Sequence, residues 1–201
     1  MCNLTLTHTL QAMKRFKLSP LFIIIVISFI LIDGSFYALY AVLCAFLHEA
    51  GHILAIKLMR GKVGALKVHG FGIQISGNLA LDYKREAISA FAGPITSLLA
   101  GFIGILLSRL GLYTQEIVFF AMSNFCLFAI NILPIYPLDG GRILYCVLAT
   151  KRDQPKAALI TKAASVLFII PLLIAAIYLV VKTGYNFSLA ILCAYLVLLL
   201  I

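Results

Sequence analysis

Long apolar stretches with few charges constrain the fold of this chain most. Hydrophobic residues make up 63% of its 201 residues, only 11% are charged, and the mean hydropathy is +1.10. A soluble domain carries about 25% charged residues, so too little polar surface remains here to cover a water-soluble globule. The composition therefore predicts a polytopic membrane protein.

Six of these stretches are candidate transmembrane helices, because about 20 apolar residues cross the hydrocarbon core of a bilayer. The predicted spans are 18–32, 35–56, 87–108, 117–134, 163–181 and 183–200. The basic start of the chain also resembles a signal peptide, but no A-x-A cleavage site follows, so we interpret 18–32 as a retained span. A short helix over 141–150 is expected at the inner membrane interface.

The segment 63–81, between the second and third spans, differs from the rest of the chain. It is rich in glycine, alternates partly between polar and apolar residues, and predicts one or two β-strands or a hairpin at the inner membrane face. The predicted fold class is therefore all-α with about six transmembrane helices and a small membrane-associated β-segment. We expect one domain over residues 1–201, without a CBS or PDZ domain.

The basic residues predict the orientation of the spans. With the N-terminus in the cytoplasm, every lysine and arginine except Arg109 and Lys182 falls on the cytoplasmic side, as the positive-inside rule requires. Six spans then return both termini to the cytoplasm. This distribution accounts for the net charge of +9, and no patch of basic and aromatic residues indicates nucleic-acid binding.

The second span contains the pattern His48-Glu49-Ala50-Gly51-His52. Histidines four residues apart project from one face of a helix, so both can bind one Zn²⁺. Glu49 lies beside them and can act as the general base and acid of a zinc protease. Ionisable residues inside a span are energetically costly, which favours a functional over a structural interpretation.

A catalytic zinc site needs a third protein ligand, and Asp139 is the best candidate. It follows the fourth span at the end of the sequence NILPIYPLD, in which Pro134 and Pro137 break the helix. The second and fourth spans run in the same direction, so Asp139 reaches the membrane depth of the histidines. The sequence therefore predicts a zinc site in the inner third of the bilayer.

Together, H-E-A-G-H and the later N-x-x-P-x-x-P-L-D-G-G resemble the site-2 protease family of intramembrane zinc metalloproteases, peptidase family M50. The resemblance covers about residues 41–142, and it includes an A-G-P segment ending at Pro94 and the G-x-G segment Gly70-Phe71-Gly72. It implies His48, His52 and Asp139 as zinc ligands and Glu49 as the general base and acid.

The resemblance also implies roles for other residues and for partners. Asn131 would hold the substrate or the oxyanion, and Gly70 and Gly72 would receive an extended substrate. The implied substrate is a membrane-tethered or membrane-associated regulatory protein, and an inhibitory membrane partner is compatible with this. Within the family the chain resembles the bacterial sporulation type, which processes a pro-sigma factor, so the expected location is the bacterial cytoplasmic membrane.

Two other functions are compatible with intramembrane ligands. A membrane zinc-binding or zinc-transport protein could use Glu49 as a ligand, whereas a protease needs it as an acid and base. A zinc protease of the prenyl-protein type typically takes its third ligand from a glutamate within a later helix. After Glu49 only Glu86 and Glu116 remain, and both flank predicted spans.

Overall fold

The structure, a computed structural model, describes residues 16–18, 37–59, 65–69, 72–76, 82–112, 114–184 and 187–200. The described residues are mostly helical, as the apolar stretches predict. The helices are α1 (Tyr37–Leu58), α2 (Tyr83–Arg109), α3 (Gln115–Asn131), α4 (Asp139–Ala149), α5 (Gln154–Thr183) and α6 (Ser188–Leu200). The strands are β1 (Phe16–Leu18), β2 (Ala65–His69) and β3 (Gly72–Ser76).

The helices follow the predicted spans closely. Helices α1, α2, α3, α5 and α6 correspond to the second to sixth predicted spans, and α4 corresponds to the predicted short helix. The first predicted span lies outside the described residues except for Leu18, which belongs to β1 rather than to a helix. Among the described helices, α1, α2 and α5 are long and apolar enough to cross a membrane, while α3 and α6 are shorter apolar helices. The number of six spans stays a prediction.

Several helix boundaries differ from the predicted ones, among them the start of α6 at Ser188 rather than at residue 183, and two of these differences have a reason in the sequence. Helix α3 ends at Asn131 rather than at residue 134, because Pro134 has no N–H to donate and disfavours helical geometry at Leu133. Helix α5 begins at Gln154 rather than at residue 163, with a proline in its first turn. The apolar run marks only the part of α5 that fits hydrocarbon, whereas the helix itself extends into a charged segment.

Small residues let the first helices pack closely. A Cβ atom added at Gly101 of α2 would lie 2.8 Å from the ring of Phe125 in α3, and one at Gly104 would lie 2.9 Å from the Ala121 side chain. Large apolar side chains such as Phe46 stay exposed, while the buried positions hold many alanines, glycines and serines. This distribution is typical of helices that associate in a bilayer, where close backbone approach replaces hydrophobic burial.

Strands β2 and β3 lie within the segment 63–81 that the sequence singles out, and β1, from the N-terminal part of the chain, joins them in one sheet. In the described part of the chain, β2 pairs in parallel with β1 and antiparallel with β3, so the order is β1-β2-β3. The β2–β3 register pairs Ala65 with Ser76 and His69 with Gly72. Strand β3 therefore lies at one edge of this sheet. Its association with the membrane stays a prediction.

Candidate metal centre

Three side chains that the sequence singles out as metal ligands meet in the structure. His48 and His52 lie one turn apart on α1, and Asp139 is the first residue of α4. Asp139 Oδ2 lies 3.0 Å from His48 Nε2 and 3.2 Å from His52 Nε2, and the two Nε2 atoms are 3.3 Å apart. All three side chains are buried. Two segments 91 residues apart in sequence thus converge on one point.

The spacing of these atoms fits a zinc ion. Zinc bonds of about 2.0–2.2 Å, arranged tetrahedrally, put neighbouring ligand atoms about 3.3 Å apart. Two imidazole nitrogens and one carboxylate oxygen form a typical donor set of a catalytic zinc site, with the fourth position free for water or substrate. Lone pairs this close repel one another unless a cation lies among them. The donor set therefore suits zinc in both chemistry and spacing.

Contacts with α2 orient both imidazole rings. His52 Nδ1 lies 2.8 Å from the Ser89 carbonyl oxygen, which can only accept, so Nδ1 carries the proton and the Nε2 lone pair faces the site. His48 Nδ1 lies 2.9 Å from Ser97 Oγ, in a fully buried position. With Ser97 accepting from Nδ1–H, His48 presents its Nε2 lone pair in the same way. Such outer hydrogen bonds fix the tautomer and ring orientation of metal-binding histidines.

Two glycines make the close approach of α1 and α2 feasible. A Cβ at Gly93, in the A-G-P segment of α2, would lie 2.2 Å from His52 Nε2. A Cβ at Gly51, between the two histidines, would lie 2.2 Å from Thr96 Oγ1 and 2.8 Å from the Ala92 carbonyl oxygen. Any side chain at either position would therefore push the helices apart or displace the imidazole. Helix packing alone therefore requires glycine at Gly51 of the H-E-A-G-H motif and at Gly93 of the A-G-P segment, apart from any role in catalysis.

The loop between α3 and α4 positions Asp139. A Cβ at Gly140 would lie 2.2 Å from the Ile132 carbonyl oxygen, and one at Gly141 would lie 2.5 Å from the Tyr136 backbone nitrogen. The first turn of α4 thus packs directly on the backbone of the loop. The Tyr136 N–H also donates to Ser165 Oγ of α5, at 2.9 Å. These contacts from two sides fix the start of α4 and with it the carboxylate.

The two oxygens of Asp139 face different partners. Oδ2 faces the histidines, whereas Oδ1 lies 3.4 Å from Arg142 Nη1 on the next turn of α4. Arg142 Nη2 in turn lies 3.9 Å from Glu86 Oε1 of α2. The guanidinium group therefore neutralises the outer oxygen and leaves the inner one for a metal ion. It also links the charged ends of α2 and α4.

Glu49 stands beside the three candidate ligands without being one of them. It is half-buried and follows His48 on α1. Its carboxylate is close enough to His48, His52, Asp139 and Arg142 to interact with them electrostatically. The group of potential metal ligands comprises only the two histidines and Asp139 in the part of the chain that the structure describes. This position suits a proton carrier rather than a ligand.

Substrate contacts are also predicted for three further residues, Asn131, Gly70 and Gly72. Asn131 ends α3, and its side-chain amide donates to the Leu127 carbonyl oxygen at 2.9 Å rather than to any of the metal-site residues. Gly72 begins β3 opposite His69. Gly70 lies outside the described residues. The roles predicted for these three residues in substrate binding stay predictions.

Sequence reasoning did not identify the α2 residues that contact the histidines. Ser89, Gly93 and Ser97 follow one another at intervals of four, which places small residues on one face of a helix. This spacing of small residues around the A-G-P segment could have identified the face of α2 that meets the histidines. Asn124 of α3 was also missed: it is fully buried and donates to Cys44 Sγ at 3.1 Å and to the Phe120 carbonyl oxygen at 2.9 Å. Its Oδ1 has no hydrogen-bond partner among the residues that the structure describes.

Replacing Ser97 tests the orientation of His48. Ser97→Ala removes the hydrogen-bond partner of Nδ1, and we expect zinc affinity to fall about 10- to 100-fold, as for other outer-shell losses. Ser89→Ala is the matched control, because His52 is held by the Ser89 backbone carbonyl, which alanine retains. Competition with a zinc chelator would measure both affinities. Equal affinities in the two variants would contradict this role of Ser97.

Comparisons with known proteins agree with this geometry. The sequence profile of peptidase family M50 matches residues 108–175, which include Asn131 and Asp139. The chain is 28% identical over 162 residues to stage IV sporulation protein FB of Bacillus subtilis, covering 73% of this chain and 56% of that protein. It is 27% identical over 153 residues to a zinc metalloprotease of Methanocaldococcus jannaschii, covering 68% and 42%. The chain thus spans about half the length of the curated relatives it matches.

A solved structure shares the fold. The site-2 protease from Methanocaldococcus jannaschii superposes with a TM-score of 0.63 at 20% sequence identity, and the match covers 88% of this chain and 82% of that one. The family profile and the two curated relatives make the chain similar to peptidase family M50, and the solved structure shows that it shares the fold of a site-2 protease.

Proposed function

We propose that this chain is an intramembrane zinc endopeptidase that hydrolyses a peptide bond in a membrane-embedded or membrane-associated protein. The observation that carries the proposal is the convergence of His48 Nε2, His52 Nε2 and Asp139 Oδ2 within 3.3 Å, with Glu49 beside them. The Methanocaldococcus jannaschii relative carries the name zinc metalloprotease, which supports the same activity here.

The residues of the site have distinct roles in this proposal. His48, His52 and Asp139 hold the metal. Zinc, when bound, supplies a Lewis acid that polarises the scissile carbonyl and activates water at neutral pH. Glu49 takes a proton on its carboxylate from the attacking water and gives it to the leaving amide nitrogen. Arg142 keeps the outer oxygen of Asp139 neutralised, and Ser97 with the Ser89 carbonyl keeps the two imidazoles in the metal-binding tautomer.

The substrate must present an unwound peptide bond, because the amides of a helix are bonded within it. Strand β3 lies at a sheet edge and could pair with an extended substrate by strand addition, with Gly70 and Gly72 permitting close approach. Asn131 would leave the Leu127 carbonyl oxygen to donate to the substrate. Disulfide crosslinks between β3 and the residues next to the scissile bond would test the strand pairing, and crosslinks elsewhere would count against it.

The name of the Bacillus subtilis relative makes a regulator in sporulation, such as a pro-sigma factor, the first substrate to try. The location proposed with it is the bacterial cytoplasmic membrane, with both termini in the cytoplasm. Six predicted spans and the basic loops support this orientation. Labelling of single cysteines introduced at Lys14 and after Ile201 would check it, and labelling of these two positions from opposite sides would reject it.

A zinc transporter is the alternative of a different class. Such a protein would use Glu49 as a further ligand, yet the carboxylate is not part of the described ligand group. Asp139 also begins α4, whose first turn is fixed by close backbone contacts at Gly140 and Gly141, which does not suit a ligand that must release its ion. The geometry therefore favours a resident metal over a transported one.

Removal and return of zinc tests the proposed activity. We expect the purified chain in detergent or nanodiscs to cleave a membrane-tethered substrate, to lose cleavage with a strong chelator and to regain it with about one equivalent of Zn²⁺. Mg²⁺ is the control ion, because it prefers an octahedral set of oxygen ligands. Cleavage that continues after complete removal of zinc would reject the proposal.

A further inference from the structure

A cavity lies beside the loop between α3 and α4. It measures about 490 Å³ and is formed by residues of the loop, α4, α5 and α6. None of the metal-site residues lines it. Small-molecule sites in proteins are typically cavities of about 300–1,000 Å³ with mostly apolar walls and a few polar groups. The cavity therefore has the size of a ligand site and is separate from the metal centre.

The walls of this cavity are amphiphilic. Ala158, Leu199 and Leu200 supply apolar surface, while Tyr136, Tyr145 and Lys162 contribute polar groups. Thr161 also lines the cavity, but its hydroxyl donates to the Ala157 carbonyl oxygen. Lys162 has no carboxylate within ion-pair distance among the described residues, in contrast to Lys156 on the same helix, which lies 3.3 Å from Asp153. A cation that has no ion-pair partner among the described residues and lies next to an apolar wall suits an anionic, amphiphilic ligand.

The position along α5 indicates the source of such a ligand. Lys162 is the last charged residue before the uncharged run 163–181, so it lies at the edge of the hydrocarbon core. Tyrosine and lysine are enriched at this level of a membrane protein, and basic pockets between helices on the cytoplasmic side bind anionic headgroups. The excess of basic residues on the predicted cytoplasmic side fits a surface that contacts anionic lipids.

We propose that this cavity is a binding site for a phospholipid with an anionic headgroup. The headgroup phosphate pairs with Lys162 and accepts from the phenol of Tyr136, while an acyl chain lies along Leu199 and Leu200. Because Tyr136 belongs to the loop that positions Asp139, a bound lipid also holds that loop against α5, next to the bond from Tyr136 N–H to Ser165 Oγ. Lipid binding itself does not depend on the proposed protease activity.

Native mass spectrometry of the full chain tests this site. We expect dioleoyl phosphatidylglycerol to be retained in preference to dioleoyl phosphatidylcholine, and Lys162→Gln to weaken that retention about fivefold. Lys156→Gln is the matched control, since it removes one positive charge from the same helix outside the cavity. Equal losses in the two variants would mean that the lipid binds the surface charge in general and would overturn the proposal.

Two further measurements distinguish a phospholipid in the cavity from lipid adsorbed elsewhere and from a bound phosphate ion. Ala158→Leu narrows the cavity without a change of charge and is expected to lower phosphatidylglycerol retention, with thermal unfolding checked to confirm that the variant folds. Inorganic phosphate is expected not to displace the lipid, because it makes no apolar contacts. Retention that survives Ala158→Leu in a folded protein, or displacement by inorganic phosphate, would each reject an anionic phospholipid as the ligand.

Discussion

Replacing Glu49 with glutamine is expected to abolish peptide-bond cleavage while zinc stays bound. Glutamine keeps nearly the same shape but cannot take a proton from water or return one to the leaving nitrogen. Loss of a general acid and base alone lowers turnover about 10²- to 10⁴-fold. Zinc is retained because the ligand atoms belong to His48, His52 and Asp139. Turnover by a tethered-substrate assay and zinc content by elemental analysis measure the two effects separately.

A control keeps this test specific. Glu116→Gln changes the same residue type in the first turn of α3, away from the metal-site residues, and should leave both turnover and zinc unchanged. If Glu49→Gln cleaved at the wild-type rate, the proposed acid–base role would be wrong. If it lost zinc instead, Glu49 would be a ligand, and the transport alternative would gain support.

Gly93→Ala is expected to remove zinc from the site although it replaces none of the three candidate ligand residues. The new methyl group would lie 2.2 Å from His52 Nε2, the atom that faces Asp139, so the imidazole must move. Loss of an outer hydrogen bond alone weakens metal binding about 10- to 100-fold, and displacement of a ligand ring should exceed that range. Zinc affinity by chelator competition is the measurement, and cleavage should fall in parallel.

The same substitution elsewhere on α2 is the control. In Gly104→Ala the methyl group meets the Ala121 side chain at 2.9 Å, so helix packing suffers while the histidines are untouched. Both variants should lower thermal stability, but only Gly93→Ala should lose zinc. Unchanged zinc affinity in Gly93→Ala would show that α1 and α2 can shift enough to accommodate a side chain.

The ligand residues could be predicted from sequence because their pattern is local. His48 and His52 share a helix face by spacing alone, and Asp139 is one of few acidic residues that follow an apolar stretch. The proline signals also predicted that α3 would break near Pro134. These inferences need only helix periodicity and the chemistry of single residues.

The partners of the ligands could not be predicted in this way. Whether Ser97 or a neighbouring residue meets His48 depends on the rotation and register of α2 against α1, which the fit of Gly51 against Thr96 and Gly93 against His52 sets. The start of α5 at Gln154 was not predicted, because hydropathy identifies the residues that fit the hydrocarbon core and does not detect the charged residues that extend the helix beyond it. The substrate contact predicted for Asn131 stays a prediction; in the structure its side-chain amide donates to the Leu127 carbonyl oxygen.

The contacts of the two imidazoles bear on how the protein is made. A chain is synthesised from its N-terminus, so α1 and its two imidazole rings exist before Asp139 does. Ser89 and Ser97 follow the histidines they contact by only 37 and 49 residues, whereas Asp139 follows His48 by 91. Once α2 has been made, both imidazole rings therefore have a hydrogen-bond partner. Asp139 then completes the metal centre on two helices whose histidine Nδ1 atoms are already hydrogen-bonded.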